Sequence, residues 1–406
     1  MDSTLRWLDD QQTHMATELP QWCEINSGSF HVEGVNRVGE TISSYIERHL
    51  NVRSQRLSLP SIEAVDESAN VVAKPVGDLW RLHKASPPKD PSIRLLLTGH
   101  LDTVFPKNSP FQTCTMRQDG ILGGPGVADM KGGLLVMINA LRALEASPLS
   151  NQIDWQILLN PDEEIGSHSS APHLVEAAKS ADIGLVYEPS MPDGHLAGAR
   201  KGSGNFSLIV SGKAAHAGRE FHLGRNAISA LARAMVQLDE LNQSEHEVTL
   251  NLGKINGGGP VNIVADKAVC HFNVRVTSQA EADWVQQGID RVVDSLNAQE
   301  GFSAQLVGGF TRPAKPATPQ QQKLFDLVSE CGSHLGLDIA FKPTGGCCDG
   351  NNLAAAGLPN VDSLGVQGGN IHSHDEYVQL NSLSSRAKLS ALVIARLASE
   401  RHQWVL

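Results

Sequence analysis

The sequence predicts an α/β fold that is interrupted by an inserted α+β domain. Between residues 93 and 189, short apolar runs alternate with segments of helical apolar spacing, which is typical of a sheet with helices on its faces. Between about 200 and 310 the pattern changes to alternating apolar and polar residues with two amphipathic helices among them. At 406 residues, the chain is long enough for two or three domains.

The elements of the first part follow from their apolar patterns. Helical spacing covers residues 4–24 and 33–50. The next elements in order are a strand at 93–102, a helix at 131–146, a strand at 155–160, a helix at 171–181 and a strand at 183–189. We interpret PVGDLWRLHKASPPKDP, residues 75–91, as an irregular loop.

The second part begins with the alternating strand NFSLIVSG at 205–212 and returns to the first pattern at 312. The elements after that first strand are a helix at 224–241, strands at 248–255 and 268–276, and helices at 280–298, 319–336 and 381–400. The sequence therefore predicts a main domain made of residues 1–199 and 312–406. A domain of residues 200–311, of ordinary size for a small domain, is inserted into it.

Charge and composition exclude several classes of partner. The 33 basic and 44 acidic residues give a net charge of −11, which argues against nucleic acid or an anionic membrane surface as partner. No apolar run approaches the roughly 20 residues needed to cross a bilayer, and the first residues lack the pattern of a secretory signal. Six scattered cysteines do not suggest a disulfide framework. We expect a cytoplasmic protein.

Acidic and histidine side chains follow the predicted strands where each strand ends. They occur in GHLDTV, GVADMKGG, PDEEIGS and YEPS, and again late in the chain in GGNIHSHDEYV. Taken singly, each has an ordinary explanation, such as a surface histidine or an aspartate that caps a helix. Because strand ends meet at one edge of such a sheet, the carboxylates would repel each other unless a positive charge lay among them.

A metal centre satisfies this requirement. Imidazoles mixed with carboxylates, without cysteine, suit Zn²⁺ or a similar divalent ion. The number of acids indicates two ions rather than one, because a carboxylate can bridge two ions. Asp102 lies two residues after His100, where it could accept the second N–H of a metal-binding imidazole.

Seven motifs together carry a resemblance to a known family. GHLDTV, GVADMKGG, PDEEIGS, YEPS, SGKAAHAG, TGGCCDGNN and GGNIHSHDEYV occur in the order seen in the co-catalytic di-zinc metallopeptidases. That family includes glutamate carboxypeptidase, acetylornithine deacetylase, succinyl-diaminopimelate desuccinylase and the aminoacylases. The resemblance covers nearly the whole chain and is closest to the glutamate carboxypeptidase branch.

The resemblance implies a ligand set for two zinc ions per subunit, with Co²⁺ or Mn²⁺ as alternatives. His100 and Glu188 would bind one ion, Glu164 and His372 the other, and Asp129 would bridge the two. His374 stands where the family commonly has proline, so His372 is the expected ligand.

Three catalytic residues are also implied by the resemblance. Glu163 would be the general base that takes a proton from the attacking water and delivers it to the leaving amine. Asp102 would support His100 from behind, and His216 would polarise the substrate carbonyl from the partner subunit of a homodimer. Arg275, Asn262 and Gly346 are the expected substrate-binding residues, with Arg275 holding a free carboxylate by a bidentate pair.

The family's fold sets further expectations. The main domain should be a zinc-peptidase-type catalytic domain with a mixed sheet flanked by helices, and the inserted domain should be a ferredoxin-like dimerisation and lid domain. The peptide bond between Asp129 and Met130 should be cis. Ala265 replaces a frequent proline, and Cys347 and Cys348 replace small residues, where we expect free thiols rather than a vicinal disulfide.

The implied activity is hydrolysis of an amide bond next to a free carboxylate in a small substrate, as in a carboxypeptidase. Within the same fold, the alternative is a deacylase of N-acylated amino acids or diamines. A non-catalytic relative that only binds ligands should have lost Glu163 or a ligand, and every position here is filled. Without the resemblance, a mononuclear hydrolase would be the competing interpretation.

Overall fold

The computed structural model describes residues 1–242, 245–400 and 404. The α-helices are α1 (Asp2–Asp10), α2 (Gln12–Cys23), α3 (Val32–His49), α4 (Lys131–Glu145), α5 (Ala171–Ala178), α6 (Ala227–Asp239), α7 (Gln279–Asn297), α8 (Pro319–His334), α9 (Asp349–Ala355) and α10 (Ser382–Ser399). The β-strands are β1 (Val52–Leu57), β2 (Ile62–Val65), β3 (Val71–Lys74), β4 (Leu79–Lys84), β5 (Ile93–His100), β6 (Thr115–Met116), β7 (Ile121–Gly123), β8 (Ile153–Asn160), β9 (Ile183–Val186), β10 (Leu196–Arg200), β11 (Gly202–Ser211), β12 (Thr249–Gly257), β13 (Lys267–Val276), β14 (Ser303–Arg312), β15 (Phe341–Thr344), β16 (Asn360–Val361), β17 (Gly368–Gly369) and β18 (Tyr377–Gln379).

The main sheet is mixed, as the sequence and the family resemblance lead us to expect. Its strand order is β1-β4-β8-β5-β9-β16. Strands β8, β5, β9 and β16 are parallel, whereas β4 is antiparallel to both of its neighbours. The carboxyl ends of the three central parallel strands therefore lie at one edge, where His100 pairs in register with Asn160. The segments that follow these strands carry the candidate ligands.

Helix α4 lies in the middle of the main core. Nearly all of its residues are buried, which explains why its sequence is apolar on almost every side. Its first turn packs against the chain that leaves β9, since a Cβ on Gly133 would lie only 2.0 Å from the carbonyl oxygen of Tyr187. Only glycine permits this approach. The close packing places the start of α4, and Asp129 before it, at the carboxyl edge of the sheet.

The inserted part of the chain forms a second sheet with its own core. Strands in the order β12-β13-β11-β14 are all antiparallel, and the apolar faces of α6 and α7 pack against them. The β2–β3 hairpin covers part of the opposite face, where Ala69 contributes to a small cluster with Ile209, Val269 and Val307. Strand β14 ends at Arg312, where the chain returns to the main sheet.

The structure refines one detail of the sequence prediction and contradicts another. The helical segment 4–24 is two helices, α1 and α2, with Gln11 between them. The segment 75–91 is not one irregular loop, because it contains β4, which lies between β1 and β8 in the main sheet. The alternation in LWRLHK fits a short antiparallel strand, but the prolines and glycine around it indicate a loop when read as a sequence.

Within the part of the chain that the structure describes, we find no helix that combines the length and the apolar character needed to span a bilayer.

Candidate metal centre

Asp129 lies between two histidines at the carboxyl edge of the main sheet. Its Oδ1 is 3.1 Å from Nε2 of His100, and its Oδ2 is 3.2 Å from Nε2 of His372. His100 is the last residue of β5, and Asp129 stands just before α4. Each oxygen of one carboxylate thus faces a different imidazole. This arrangement suits a carboxylate shared by two cations.

Glu163 and Glu164 follow β8 in a single 3₁₀ turn, and their carboxylates have different partners. Oε2 of Glu164 lies 3.1 Å from Nε2 of His372. Oε1 of Glu163 lies 2.6 Å from Nη2 of Arg312. The turn ends at Gly166, whose φ of +105° is a conformation that favours glycine. The structure therefore brings both acids to the centre and separates their contacts.

Asp102 supports this turn more than it supports His100. Its carboxylate accepts hydrogen bonds from the backbone N–H groups of Glu163 and Glu164, at 3.1 and 3.2 Å, and from the hydroxyl of Ser29 at 2.7 Å. The short contact of His100 Nδ1, 2.9 Å, is to the backbone carbonyl of Asp102, while the carboxylate is 3.5 Å away. Asp102 thus orients the imidazole through its main chain and the two glutamates through its side chain.

Glu188 completes the donor set on the His100 side. It follows β9, and its Oε2 lies 3.8 Å from Nε2 of His100. Its other oxygen, Oε1, is buried without a hydrogen-bond partner among the described residues. Such an orphaned carboxylate oxygen is costly unless a cation satisfies it. The candidate ligands form two groups, and within each group the ligand atoms lie within 4.8 Å of one another. One group is His100, Glu163 and Glu188, and the other is His100, Asp129 and Glu164.

The titration behaviour of these groups reflects several acids buried together. Burial, followed by the charge of Asp129, raises the pKa of Glu164 to about 7. Burial also raises the pKa values of Glu188 and Glu163 above their ordinary range. Hydrogen bonds to Asp129 and Glu164 raise the pKa of His372 to about 11. Divalent cations would replace the protons that these groups hold, so the donor set fits the expected metals.

Glu376 supports the loop that carries Asp129, and sequence reasoning did not identify it. The buried carboxylate accepts hydrogen bonds from the backbone N–H groups of Gly126, Ala128 and Asp129, at 3.2, 3.0 and 3.1 Å. Burial raises its pKa to about 7. The bond between Asp129 and Met130 in this loop is cis, which confirms the prediction. The acid stands in the motif GGNIHSHDEYV, four residues after His372, which was the only sequence signal.

Arg312 is a second residue that sequence reasoning missed. In addition to its ion pair with the Glu163 carboxylate, Nη2 of Arg312 donates hydrogen bonds to the carbonyl oxygen of Glu163 at 2.6 Å and to Oγ of Ser167 at 2.9 Å. The side chains of Arg312 and Glu163 are only 7% and 8% exposed. Arg312 is the final residue of β14, so a strand of the second sheet carries the positively charged side chain that contacts Glu163 beside the main sheet. Nothing in the local sequence indicates this contact.

A cavity of about 580 Å³ opens beside the ligand cluster. It is lined by the acids Asp129, Glu164 and Glu188 and by the arginines Arg200, Arg275 and Arg312. Gly346 and Cys347 also line it, and Nη1 of Arg275 donates to Sγ of Cys347 at 3.0 Å. The thiols of Cys347 and Cys348 are free. The cavity can therefore accept an anionic group next to the metal ligands.

Two of the predicted residues, His216 and Asn262, lie elsewhere. His216 and Asn262 are exposed and adjacent, since His216 bridges to Ile263 and the N–H of Ala217 donates to the carbonyl oxygen of Asn262. Neither is among the described residues that line the cavity. His374 stacks on Phe111 at 5.5 Å, so of the two nearby histidines it is His372 that joins the centre.

Known proteins share this architecture. A solved tripeptidase from Staphylococcus aureus superimposes with a TM-score of 0.70 at 21% identity, over 96% of this chain and 99% of that one. Carboxypeptidase G2 from Pseudomonas sp. (strain RS-16) is 26% identical over 96% of this chain and 91% of its own length. Succinyl-diaminopimelate desuccinylase from Nitrosospira multiformis is 26% identical over 79% of this chain and 86% of its own length. The pattern described as Peptidase family M20/M25/M40 matches residues 96–396, and the chain belongs to this family of hydrolases.

Proposed function

We propose that this protein is a hydrolase with two zinc ions per subunit that cleaves an amide bond next to a free carboxylate, as a carboxypeptidase of the glutamate carboxypeptidase type. The observation that carries the proposal is the position of Asp129 between His100 and His372, beside a cavity that arginines also line. The ligands would be His100 and Glu188 for one ion and Glu164 and His372 for the other. Co²⁺ and Mn²⁺ suit the same donors.

The residues of the chain divide the chemistry among them. When bound, the metal ions would polarise the scissile carbonyl and lower the pKa of water. Glu163 would accept a proton from the attacking water and pass it to the nitrogen of the leaving amine. Burial raises the pKa of this carboxyl, which suits a group that must hold the proton between the two steps. Arg275 would hold the free carboxylate of the substrate in the cavity.

We further propose that the protein is a cytoplasmic homodimer, in which residues 200–311 form the dimerisation and lid domain between residues 1–199 and 312–406. An apolar surface on α6 and the edge strand β12 supports this proposal, with Val236 61% exposed and Ile255 56% exposed. His216 and Asn262 would then act at the cavity of the partner subunit, because they lie away from the cavity of their own subunit.

Hydrolysis of a panel of substrates tests the activity. Zinc-loaded protein should release amine from N-acyl amino acids and dipeptides that end in a free carboxylate. The matched controls are the same compounds with that carboxylate converted to an amide, which should react much more slowly because Arg275 has no anion to bind. Equal rates for acids and amides would contradict the carboxylate requirement. Preference for N-acyl diamines would favour the deacylase alternative, which the likeness to a desuccinylase supports.

A further inference from the structure

The two adjacent acids at the metal centre could both bind metal as far as distance is concerned. Ligand atoms of His100, Glu163 and Glu188 lie within 4.8 Å of one another, and so do those of His100, Asp129 and Glu164. Divalent cations attract any carboxylate within reach. A carboxylate that binds a metal is a poor base, because the metal takes the electron pair that would accept the proton. Something must therefore keep Glu163 out of the ligand set.

We propose that Arg312 is a positioning residue that holds the Glu163 carboxylate away from the metal ions, so that only Glu164 of the adjacent pair becomes a ligand. The inference rests on the proposed function, since it assumes that both metals are bound and that Glu163 is the base.

The contacts of Arg312 support this role. One guanidinium nitrogen, Nη2, lies 2.6 Å from the Glu163 carboxylate and 2.6 Å from the carbonyl oxygen of the same residue. It thus holds both the side chain and the main chain of the base. The same nitrogen donates its second hydrogen bond to Oγ of Ser167 at 2.9 Å, and the hydroxyl of Ser167 donates to Asp349 at 2.5 Å. The guanidinium is therefore fixed by its surroundings and cannot follow Glu163 toward the metals.

Burial strengthens the competition between Arg312 and the metal ions for the Glu163 carboxylate. Both side chains are almost fully excluded from water, so the Glu163 carboxylate needs a cationic partner inside the protein. Arg312 is such a partner at 2.6 Å, and bound metal ions would compete with it for the carboxylate. Among the described residues no arginine pairs with Glu164, and its carboxylate lies against His372 instead. The difference between two neighbouring and chemically identical side chains thus depends on one residue from another sheet.

A cobalt spectrum tests the proposal without any substrate. The visible absorption of Co²⁺ depends on the number and type of its ligands, and Co²⁺ suits the same donors. Arg312→Met should change the spectrum of the Co²⁺-loaded protein, because the released Glu163 becomes an additional ligand. Arg312→Lys should keep the wild-type spectrum, since it retains the positive charge. Adding Glu163→Gln to Arg312→Met should return the spectrum to that of Glu163→Gln alone.

Arg200→Met is the matched control. Arg200 is also a buried arginine of the cavity, but its partner is Asp362, at 2.6 Å, which is not a candidate ligand. The control should leave the cobalt spectrum unchanged. A similar change in both variants would overturn the proposal, because loss of any buried positive charge would then explain it. An unchanged spectrum in Arg312→Met, or a change that persists in the double variant, would also overturn it.

Kinetics provide the second measurement. Arg312→Met should lower kcat about 10²- to 10⁴-fold, the usual contribution of a general base, with KM little changed. The loss should be absent when Glu163 is already Gln, because the two residues act as one unit. Arg312→Gln replaces Arg312→Met if circular dichroism shows that the latter does not fold. Failure of the wild-type protein to hydrolyse the substrate panel would contradict the proposed function, whereas the cobalt spectra test Arg312 by themselves.

Discussion

Glu163 and Glu164 are consecutive in sequence, but their carboxylates make different contacts in the fold. Glu163 meets the guanidinium of Arg312 at 2.6 Å, and Glu164 meets the imidazole of His372 at 3.1 Å. Both backbone N–H groups donate to Asp102, which fixes the turn that separates the two side chains. The adjacent acids can therefore perform two functions at one centre.

Substitution of each acid should have a different effect. Glu163→Gln should keep both metal ions and most substrate binding while the rate falls about 10²- to 10⁴-fold, because only the proton acceptor is removed. Glu164→Gln should lose a metal ion. Metal analysis of the two purified variants, together with kcat and KM for Glu163→Gln, checks this division. Identical behaviour of the two variants would show that it is wrong.

Removal of the shared carboxylate should affect both ions. Asp129 faces His100 with one oxygen and His372 with the other, so Asp129→Ala should weaken both metal sites at once. Equilibrium dialysis against Zn²⁺ should give about two ions per chain for the wild type and fewer than one for the variant. A wild-type protein that tightly binds a single ion, which Asp129→Ala retains, would rule out the bridge.

Loss of the support behind Asp129 should weaken metal binding without removing a ligand. Glu376→Gln replaces an acceptor of three backbone N–H groups with an amide, one half of which is itself a donor. We expect zinc affinity to fall about 10- to 100-fold, as is common for residues behind metal ligands. Competition with a zinc-binding dye measures this change. Glu24→Gln is a suitable control at an exposed acid, and it should bind zinc like the wild type.

The metal-free protein should become less stable as pH rises above 5. Glu164 and Glu376 each have a pKa of about 7 in the fold, above the ordinary 4.5, so the folded state binds protons more tightly than the unfolded chain. The stability they contribute is complete below about pH 4.5 and is lost as pH rises through 7. His372, with a pKa of about 11, loses its contribution from pH 6.5 upward.

Thermal melting in the presence of a chelator, from pH 5 to 9, measures this dependence. Added Zn²⁺ should raise Tm more at pH 8 than at pH 6, because the metal takes the place of protons that the ligands hold at lower pH. A metal-free Tm that rises over the same range would contradict the assignment of these buried groups.

Activity across the subunit interface is the remaining prediction. An inactive Glu163→Gln chain mixed with an inactive His216→Ala chain should recover about a quarter of wild-type activity, since half of the dimers are mixed and each has one intact site. Exchange of subunits must be shown separately, for example by native mass spectrometry. Exchange without recovered activity would place His216 in its own subunit's site or outside catalysis.

The sequence alone was sufficient for the elements with strong periodic patterns. Strand β5, helix α4, strands β11 to β13 and helices α6 and α7 lie close to where apolar spacing predicts them, whereas β14 was not predicted. The strand ends also identified His100, Glu164 and Glu188, because the carboxyl ends of parallel strands must meet at one edge. These features depend on local pattern and on general rules of sheet geometry, and both can be read from a sequence.

Tertiary structure alone decided the contacts between segments that are distant in the chain. Strand β4 is recognised only when its neighbours β1 and β8 are present, because a short strand among prolines carries little pattern of its own. Arg312 reaches Glu163 across 149 residues, and Glu376 reaches Asp129 across 247. Such pairs depend on where the two sheets and their loops come together. The sequence could name the adjacent acids, but only the fold shows which one an arginine holds.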